Sequence, residues 1–274
     1  MSKRDFDSMA GSTSSPYMPM FEHFRQELDE HHDRRERIIK ASRDITAASK
    51  KVIFTLQRVR ELQKPLPQHV AKGNKQYYET IAAQAASIGS ELQLLNAHRY
   101  ARQISGGCQE FIEAVSFEHY LVNARLLSYE ESVDLVQKLN PDGLSIGLSS
   151  EDYLLGIYDM TGELMKFAIT AMATAGALPS LVSSDIDHTV GDVASAHPQR
   201  TLLTDMRGLR AALESIDAGS GPFARDVEKK REVMQASVEK VEKALYGLIV
   251  RGAERPKGWM PDTSDASRAI EVES

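Results

Sequence analysis

The feature that most constrains the fold of this 274-residue chain is residues 21–63, a run without proline or glycine. Such a run predicts one long amphipathic helix; about 43 residues at 1.5 Å each extend roughly 60 Å. A compact domain does not need that length, so we expect the helix to pack along a bundle or to reach another subunit. Pro65 and Pro67 are expected to end it. Apolar residues recur along it at heptad spacing: Phe21, Phe24, Leu28, Ile38, Ile45, Val52, Leu56 and Val59.

Apolar spacing and capping signals predict six further helices. Asn74 is expected to cap the second helix, and residues 105–107 (Ser-Gly-Gly) to kink or restart the chain after it. Ser128 with Glu131 forms a capping box, and residues 149–150 cap the fifth helix. No alternating β pattern of useful length is present, so the predicted fold is all-α: a seven-helix bundle with long N- and C-terminal helices. The six helices are predicted at residues 74–103, 108–127, 129–139, 153–172, 201–216 and 223–251.

The expected organisation is one domain over residues 19–262, with disordered tails at 1–18 and 263–274. Residues 180–200 lack periodicity and are predicted to be a mobile loop or insertion. The single cysteine excludes an internal disulfide framework and fits a reducing compartment. With a net charge of −6, nucleic-acid contact has to come from a local basic patch or a more basic partner. No secretory signal or membrane span is predicted.

Two predicted helices carry acids in apolar surroundings. Residues 153–172 are apolar nearly all round but place Asp159 and Glu163 on one face; the third helix places Glu110 and Glu113 three apart. Buried carboxylates need a cation, a metal or a proton. If the helices are neighbours, the four acids suit Mg²⁺, with Mn²⁺ as an alternative, and hydrolysis of a phosphodiester. We predict Glu113, Asp159 and Glu163 as metal ligands. Glu110 then either holds metal or orients the attacking water.

Two further sets of residues leave alternatives open. The acids can equally be structural, paired with nearby cations such as Lys166 or Arg125. His98, Arg99 and Arg102 precede the Glu110 helix and are predicted to bind RNA by holding the scissile phosphate. The basic run along the long helix, beginning at Arg34, either follows a phosphate backbone or is a solvated face neutralised by its own acids, and the second interpretation is favoured.

Four long motifs occur in order along the chain: FRQELDEHHDRRERIIKASRDITAASKKVIFTLQR at 24–58, QEFIEAVSFEHYL at 109–121, SSEDYLLGIYDMTGELMKFAI at 149–169 and KVEKALYGLIVRGAERPKGWM at 240–260. These motifs resemble the translin family, and the resemblance covers about residues 20–262. It implies a seven-helix bundle. For the catalytic members it implies a Mg²⁺-dependent endoribonuclease that co-assembles with translin, as a hollow hetero-octamer, and cleaves single-stranded RNA inside.

The family's catalytic acids map onto Glu110, Glu113, Asp159 and Glu163 with none missing, whereas translin itself lacks the full set. The resemblance also implies roles in removing passenger strands during RNA silencing or in trimming transfer-RNA fragments, and a cytoplasmic and nuclear location. Residues 3–4 (Lys-Arg) are too short for a nuclear signal. The alternative to the enzyme is a non-catalytic helical scaffold for translin. A third hypothesis, nucleic-acid binding without cleavage, predicts RNA affinity that falls with salt and needs no metal.

Overall fold

The computed structural model describes residues 16–181 and 200–252, and helices build nearly all of this part of the chain. Its one β pairing is an isolated bridge between Ser180 and Thr201. The predicted all-α class is therefore confirmed. The α-helices are α1 (Met18–Leu56), α2 (Gln68–Ile88), α3 (Leu95–Arg99), α4 (Ala101–Asn123), α5 (Tyr129–Lys138), α6 (Ser150–Ala175), α7 (Leu202–Glu214) and α8 (Pro222–Gly252), with a 3₁₀ turn at Gly89–Glu91.

Three sequence-based predictions fall largely outside the described residues. These are the N-terminal tail, of which residues 1–15 are not described, the segment 180–200 and the acidic tail 263–274. Among the helices that are described, none is both long and apolar enough to span a membrane.

Four long helices form the core as successive neighbours. α4 packs between α1 and α6, α6 packs between α4 and α8, α2 covers α1, and α7 covers α8. This order places α4 and α6, the two helices with the acid pairs, side by side at the centre. The largest fully buried side chains come mostly from these helices: Ile38, Ile45, Leu56, Ile81, Ile88, Ile112, Phe117, Leu121, Ile157, Met160, Leu164 and Leu202.

The N-terminal part of α1 has no core beneath it. All residues from 16 to 30 are exposed, and the first buried residue of the helix is Ile38. We call residues 17–30 the overhang. The helix therefore reaches past the bundle with a row of apolar side chains in water: Tyr17, Met18, Met20, Phe21, Phe24 and Leu28.

The predicted end of the first helix, near Gln63, is wrong. α1 ends at Leu56, well before Pro65 and Pro67. Gln63 has a φ of 56° and donates its backbone N–H to Leu121 O of α4 at 2.9 Å, so the chain turns to follow α4 instead of continuing the helix. The helix therefore ends well before the prolines, and the contact with α4 holds the chain that follows it.

The prediction of one helix over 74–103 is also wrong. α2 starts at Gln68, Asn74 is buried inside it, and it ends at Ile88. A Cβ at Gly89 would overlap Leu144 O, so the 143–147 loop crosses the chain at this glycine. Leu94 then takes a φ of 53° before the short α3 begins. This break adds the eighth helix.

The predicted kink at residues 105–107 is absent, because α4 runs straight through them. Gly107 instead lets α1 approach: a Cβ there would lie 3.1 Å from Ser42 O. The Ser42 hydroxyl accepts the Gly107 N–H at 3.1 Å and joins the two helices. The predicted Asn74 cap is wrong, but two other predicted caps are confirmed: Ser128 and Glu131 form a capping box on α5, and Ser149 caps α6.

Candidate functional site

A glycine brings the two acid-bearing helices together. A Cβ on Gly156 of α6 would lie 2.8 Å from both the Gln109 carbonyl oxygen and Ile112 Cβ of α4. The helices can meet this closely only because residue 156 has no side chain. The acids of α4 flank Ile112, and those of α6 follow Gly156 by three and seven residues. The close approach therefore gathers all four carboxylates, two from each helix.

The four acids differ in burial but interact electrostatically. Glu163 is buried, whereas Glu110, Glu113 and Asp159 are half-buried. Burial is the main cause that raises the pKa of Glu113 to about 8; the charges of the other three acids also raise it, and the charge of Lys230 opposes them. Burial also raises the pKa of Glu110, against the opposing charge of Lys50. We refer to Glu110, Glu113, Asp159 and Glu163 as the acid cluster.

Three lysines from three helices neutralise most of the acid cluster. Lys230 of α8 forms an ion pair with Asp159 and also donates to Leu155 O at 3.4 Å. Lys166 of α6 pairs with Glu163 at 2.7 Å. Lys50 of α1 lies 3.8 Å from Glu110. The second oxygen of Glu163 accepts a hydrogen bond from the Gln57 amide at 2.8 Å, at the end of α1.

Glu113 is the exception in the acid cluster. Among the described residues its carboxyl group has no hydrogen-bond or ion-pair partner, although it is half-buried on α4. Without a lysine, its charge is relieved by a proton, which is the physical meaning of its raised pKa. A cation that binds Glu113 therefore has to displace a proton rather than a lysine.

The residues of the acid cluster fit a hard divalent cation by donor chemistry, since all four supply carboxylate oxygens. Their arrangement is nevertheless not that of an assembled metal centre. In the part of the chain that the structure describes, no three acidic, histidine or cysteine side chains are grouped so as to hold an ion. Lysine ammonium groups, rather than a metal, contact three of the four acids. The predicted ligands Glu113, Asp159 and Glu163 thus stay a prediction.

The predicted RNA-binding residues lie at the surface, beside the N-terminal half of α1. His98, Arg99 and Arg102 are all exposed, and none of the three is hydrogen-bonded or ion-paired to the described acids of the cluster. Arg99 donates to Nε2 of His31 at 2.7 Å. Because arginine can only donate, His31 uses Nδ1–H toward the Tyr100 hydroxyl, 2.6 Å away. This chain of contacts fixes Arg99 while leaving it open to a ligand.

Sequence reasoning missed two of the three lysines as partners of the acids. The predicted partners were Lys166, Arg125, Arg99 and Arg102. Lys166 does bind Glu163, but Arg125 pairs with Glu131 at 2.5 Å, away from the acid cluster. Arg99 contacts His31 instead, and Arg102 is not paired with any of the four acids among the described residues. Lys230 had a readable signal, since it stands at helical spacing between two buried residues of α8, Val227 and Met234. A lysine in an apolar stripe needs an anionic partner.

The basic run on α1 is neutralised differently from the prediction. The residues of this run are mostly exposed, but Arg37 pairs across the fold with Glu91, at 2.6 Å, rather than with an acid of its own helix. Exposure is compatible with both interpretations of the run, so the preference for a solvated face stays a prediction. Arg37 joins the 3₁₀ turn to α1.

A family model and individual relatives indicate the same protein family for this chain. The model described as "Translin family" matches residues 33–252. Translin-associated protein X of Rattus norvegicus is 32% identical over 271 residues, covering 92% of this chain and 84% of that protein. The Translin-associated protein X homolog of Schizosaccharomyces pombe is 30% identical over 233 residues, covering 85% of this chain and 88% of that protein.

A solved structure has the same fold. The "Crystal structure of apo-NeC3PO" superposes with a TM-score of 0.53, covering 82% of this chain and 97% of that chain at 17% identity. At that identity the likeness concerns the fold alone. It agrees with the helical bundle described above, and the matched family model spans α4 and α6 together with most of α1 and α8. The chain therefore belongs to the translin family.

Proposed function

We propose that the chain is the catalytic subunit of a Mg²⁺-dependent endoribonuclease that cleaves single-stranded RNA in a complex with translin. The observation that carries this proposal is the acid cluster, in which the Gly156 contact gathers two acids from α4 and two from α6. Mutual repulsion of four carboxylates costs free energy. Lysine pairs offset this cost for three of them, but Glu113 has no such pair among the described residues.

The role proposed for each residue follows from its surroundings. Glu113, Asp159 and Glu163 would hold the ion, and Glu110 would hold it too or orient the attacking water. A bound Mg²⁺ would supply a lowered pKa for that water and charge stabilisation at the phosphoryl oxygens. Gln57 fixes the rotamer of Glu163 through its hydrogen bond of 2.8 Å. Glu113 keeps the proton that the cluster retains in the absence of a cation.

The proposed partner, translin, rests on two observations. The relatives from rat and fission yeast carry the name Translin-associated protein X or its homolog. The overhang of α1 also leaves six large apolar side chains exposed in the single chain, and a contiguous exposed apolar surface usually marks a contact with another protein.

A second candidate is the non-catalytic scaffold, and the lysine pairs favour it. Lys230, Lys166 and Lys50 make the acids look like structural ion pairs, and no three acids of the described residues form a metal centre. On this hypothesis the chain binds translin, and RNA is bound without being cut.

Glu113→Gln separates the two candidates. Glutamine preserves the shape of the side chain and removes its charge. Co-purified with translin, this variant should still assemble but should cleave single-stranded RNA in Mg²⁺ at least about 100-fold more slowly than the wild-type complex, given what metal-assisted hydrolysis contributes. The matched control is Glu118→Gln on the same helix, where the acid accepts a hydrogen bond from Tyr78 at 2.6 Å.

The control should retain cleavage. Equal turnover by the Glu113→Gln and wild-type complexes would overturn the nuclease hypothesis. If the Glu113→Gln variant loses assembly rather than turnover, the scaffold is favoured. The scaffold is also favoured if Mg²⁺ gives the wild-type complex no more RNA cleavage than EDTA does.

A further inference from the structure

We propose that Lys230 is an internal counter-ion of the acid cluster, which holds Asp159 in the metal-free chain and competes with a divalent cation for it. This inference rests on the proposed function in one respect, because it takes the acid cluster as the place where the ion binds. It adds a positioning residue that comes from α8, a helix outside the two that carry the acids.

The position of Lys230 differs from that of an ordinary surface lysine. It lies in the apolar stripe of α8 between the buried Val227 and Met234, and only 23% of its side chain is exposed. Its ammonium group contacts two acceptors of α6, the Asp159 carboxylate and the Leu155 carbonyl oxygen, the latter at 3.4 Å. The two acceptors lie one turn apart on α6, and Asp159 is itself a member of the acid cluster.

The other two lysines are weaker candidates for this role. The Lys50 side chain is 65% exposed and stands 3.8 Å from its acid, so water screens the pair. The Lys166 side chain is 56% exposed and belongs to the same helix as Glu163, three residues away. Lys230 alone of the three combines burial with a partner on another helix. Lys230 is also the lysine that forms the ion pair with Asp159.

Competition follows from the geometry. A carboxylate oxygen that is held by an ammonium group is unavailable as a full metal ligand, and two cations within a few ångströms repel each other in a half-buried site. In the described structure Asp159 is in this lysine-bound form. Removing the Lys230 charge should make metal binding tighter, whereas a lysine that only supports the fold would leave it unchanged or weaken it.

The test measures binding of Mn²⁺, used as the probe ion, without RNA. The full chain is purified in complex with translin, and free Mn²⁺ is followed by electron paramagnetic resonance during titration. We expect Lys230→Met to bind Mn²⁺ about fivefold tighter than wild type, the effect of losing one partly buried ion pair. Lys229→Met is the matched control, since Lys229 is its exposed neighbour on α8, and it should bind like wild type. Unchanged or weaker binding by Lys230→Met would overturn the proposal.

A second pair of measurements covers the case in which Lys230→Met folds poorly. Lys230→Arg keeps the positive charge and should bind Mn²⁺ like wild type; tighter binding by this variant would count against competition by charge. In EDTA, thermal unfolding should show that Lys230→Met is less stable than wild type. In a separate sample with Mn²⁺ and no EDTA, the Tm of Lys230→Met should rise by more than the Tm of wild type. An equal rise in both proteins would overturn the proposal. RNA is absent throughout, so a failure here is separate from a failure of the cleavage assay.

Discussion

Gly156 of α6 lies against Ile112 of α4 so closely that a Cβ on the glycine would stand 2.8 Å from Ile112 Cβ. Real Cβ atoms do not approach other side chains this closely, so residue 156 sets the distance between the two central helices. Ile112 stands between Glu110 and Glu113 in sequence, and Asp159 follows Gly156 by one turn. The spacing of α4 and α6 is thus also the spacing of the acid cluster.

Gly156→Ala should therefore destabilise the fold. The added methyl group forces α4 and α6 apart, and overpacking of this kind costs about 1–3 kcal/mol in the free energy of unfolding. Urea denaturation followed by circular dichroism measures the loss. Gly162→Ala is the control on the same helix: nothing lies within 4 Å of its Cβ, so alanine should raise stability by about 0.5–1 kcal/mol through helix propensity. Equal stability of the Gly156→Ala variant and wild type would contradict the role of the contact.

The raised pKa of Glu113 makes a prediction about stability and pH in the absence of metal. The folded chain keeps a proton on Glu113 up to about pH 8, while the unfolded chain loses it near its ordinary value of about 4.5. Between these values the folded state binds more protons, so stability falls as pH rises. In EDTA, Glu113→Gln should lack this loss and be more stable than wild type by roughly 2 kcal/mol above about pH 8, after allowance for partial exposure.

Below about pH 4 the two proteins should be equally stable, because Glu113 is then protonated in both the folded and the unfolded chain. Urea denaturation at a series of pH values measures the difference, with the exposed Glu130→Gln as a control that should follow the wild-type profile. A Glu113→Gln variant that is less stable than wild type at high pH would show that the carboxylate stabilises the fold.

Arg102→Ala tests the predicted RNA contact. Arg102 is exposed in the first turn of α4, and no described acid is hydrogen-bonded or ion-paired to it. If it contacts one phosphate, its loss should weaken RNA binding and reduce the slope of log affinity against log salt by about 0.7 for a single strand. Titration of a fluorescent oligonucleotide at several salt concentrations measures both quantities. Arg125→Ala, whose arginine is paired with Glu131 at 2.5 Å, is the control; the same salt slope in the Arg102 variant and wild type would remove this contact.

Local signals made much of the fold predictable. Helix class, the Ser128 and Ser149 caps and the all-α architecture follow from periodicity and capping, which depend on neighbours in sequence. The errors in helix bounds concern segments that meet distant residues. After α1 has ended at Leu56, Leu121 O accepts the Gln63 N–H, and Leu144 crosses the chain at Gly89, just after α2.

The candidate site, like the fold, was predictable only in part. The spacing of the acids put each pair on one face of its helix, and the structure brings the two pairs together. The sequence could not indicate which cations would meet them, because Lys50 and Lys230 lie 60 and 71 residues from Glu110 and Asp159 along the chain. Ion pairs across helices depend on packing angles that periodicity does not determine. The glycine that allows the contact, Gly156, also carried no signal of its own in an otherwise helical run.

The overhang of α1 has a consequence for the solubility of the chain by itself. Six large apolar side chains of this segment are exposed in the single chain, and an exposed apolar surface of this kind favours association between proteins. We therefore expect the single chain to self-associate as its concentration rises, unless another molecule covers the helix.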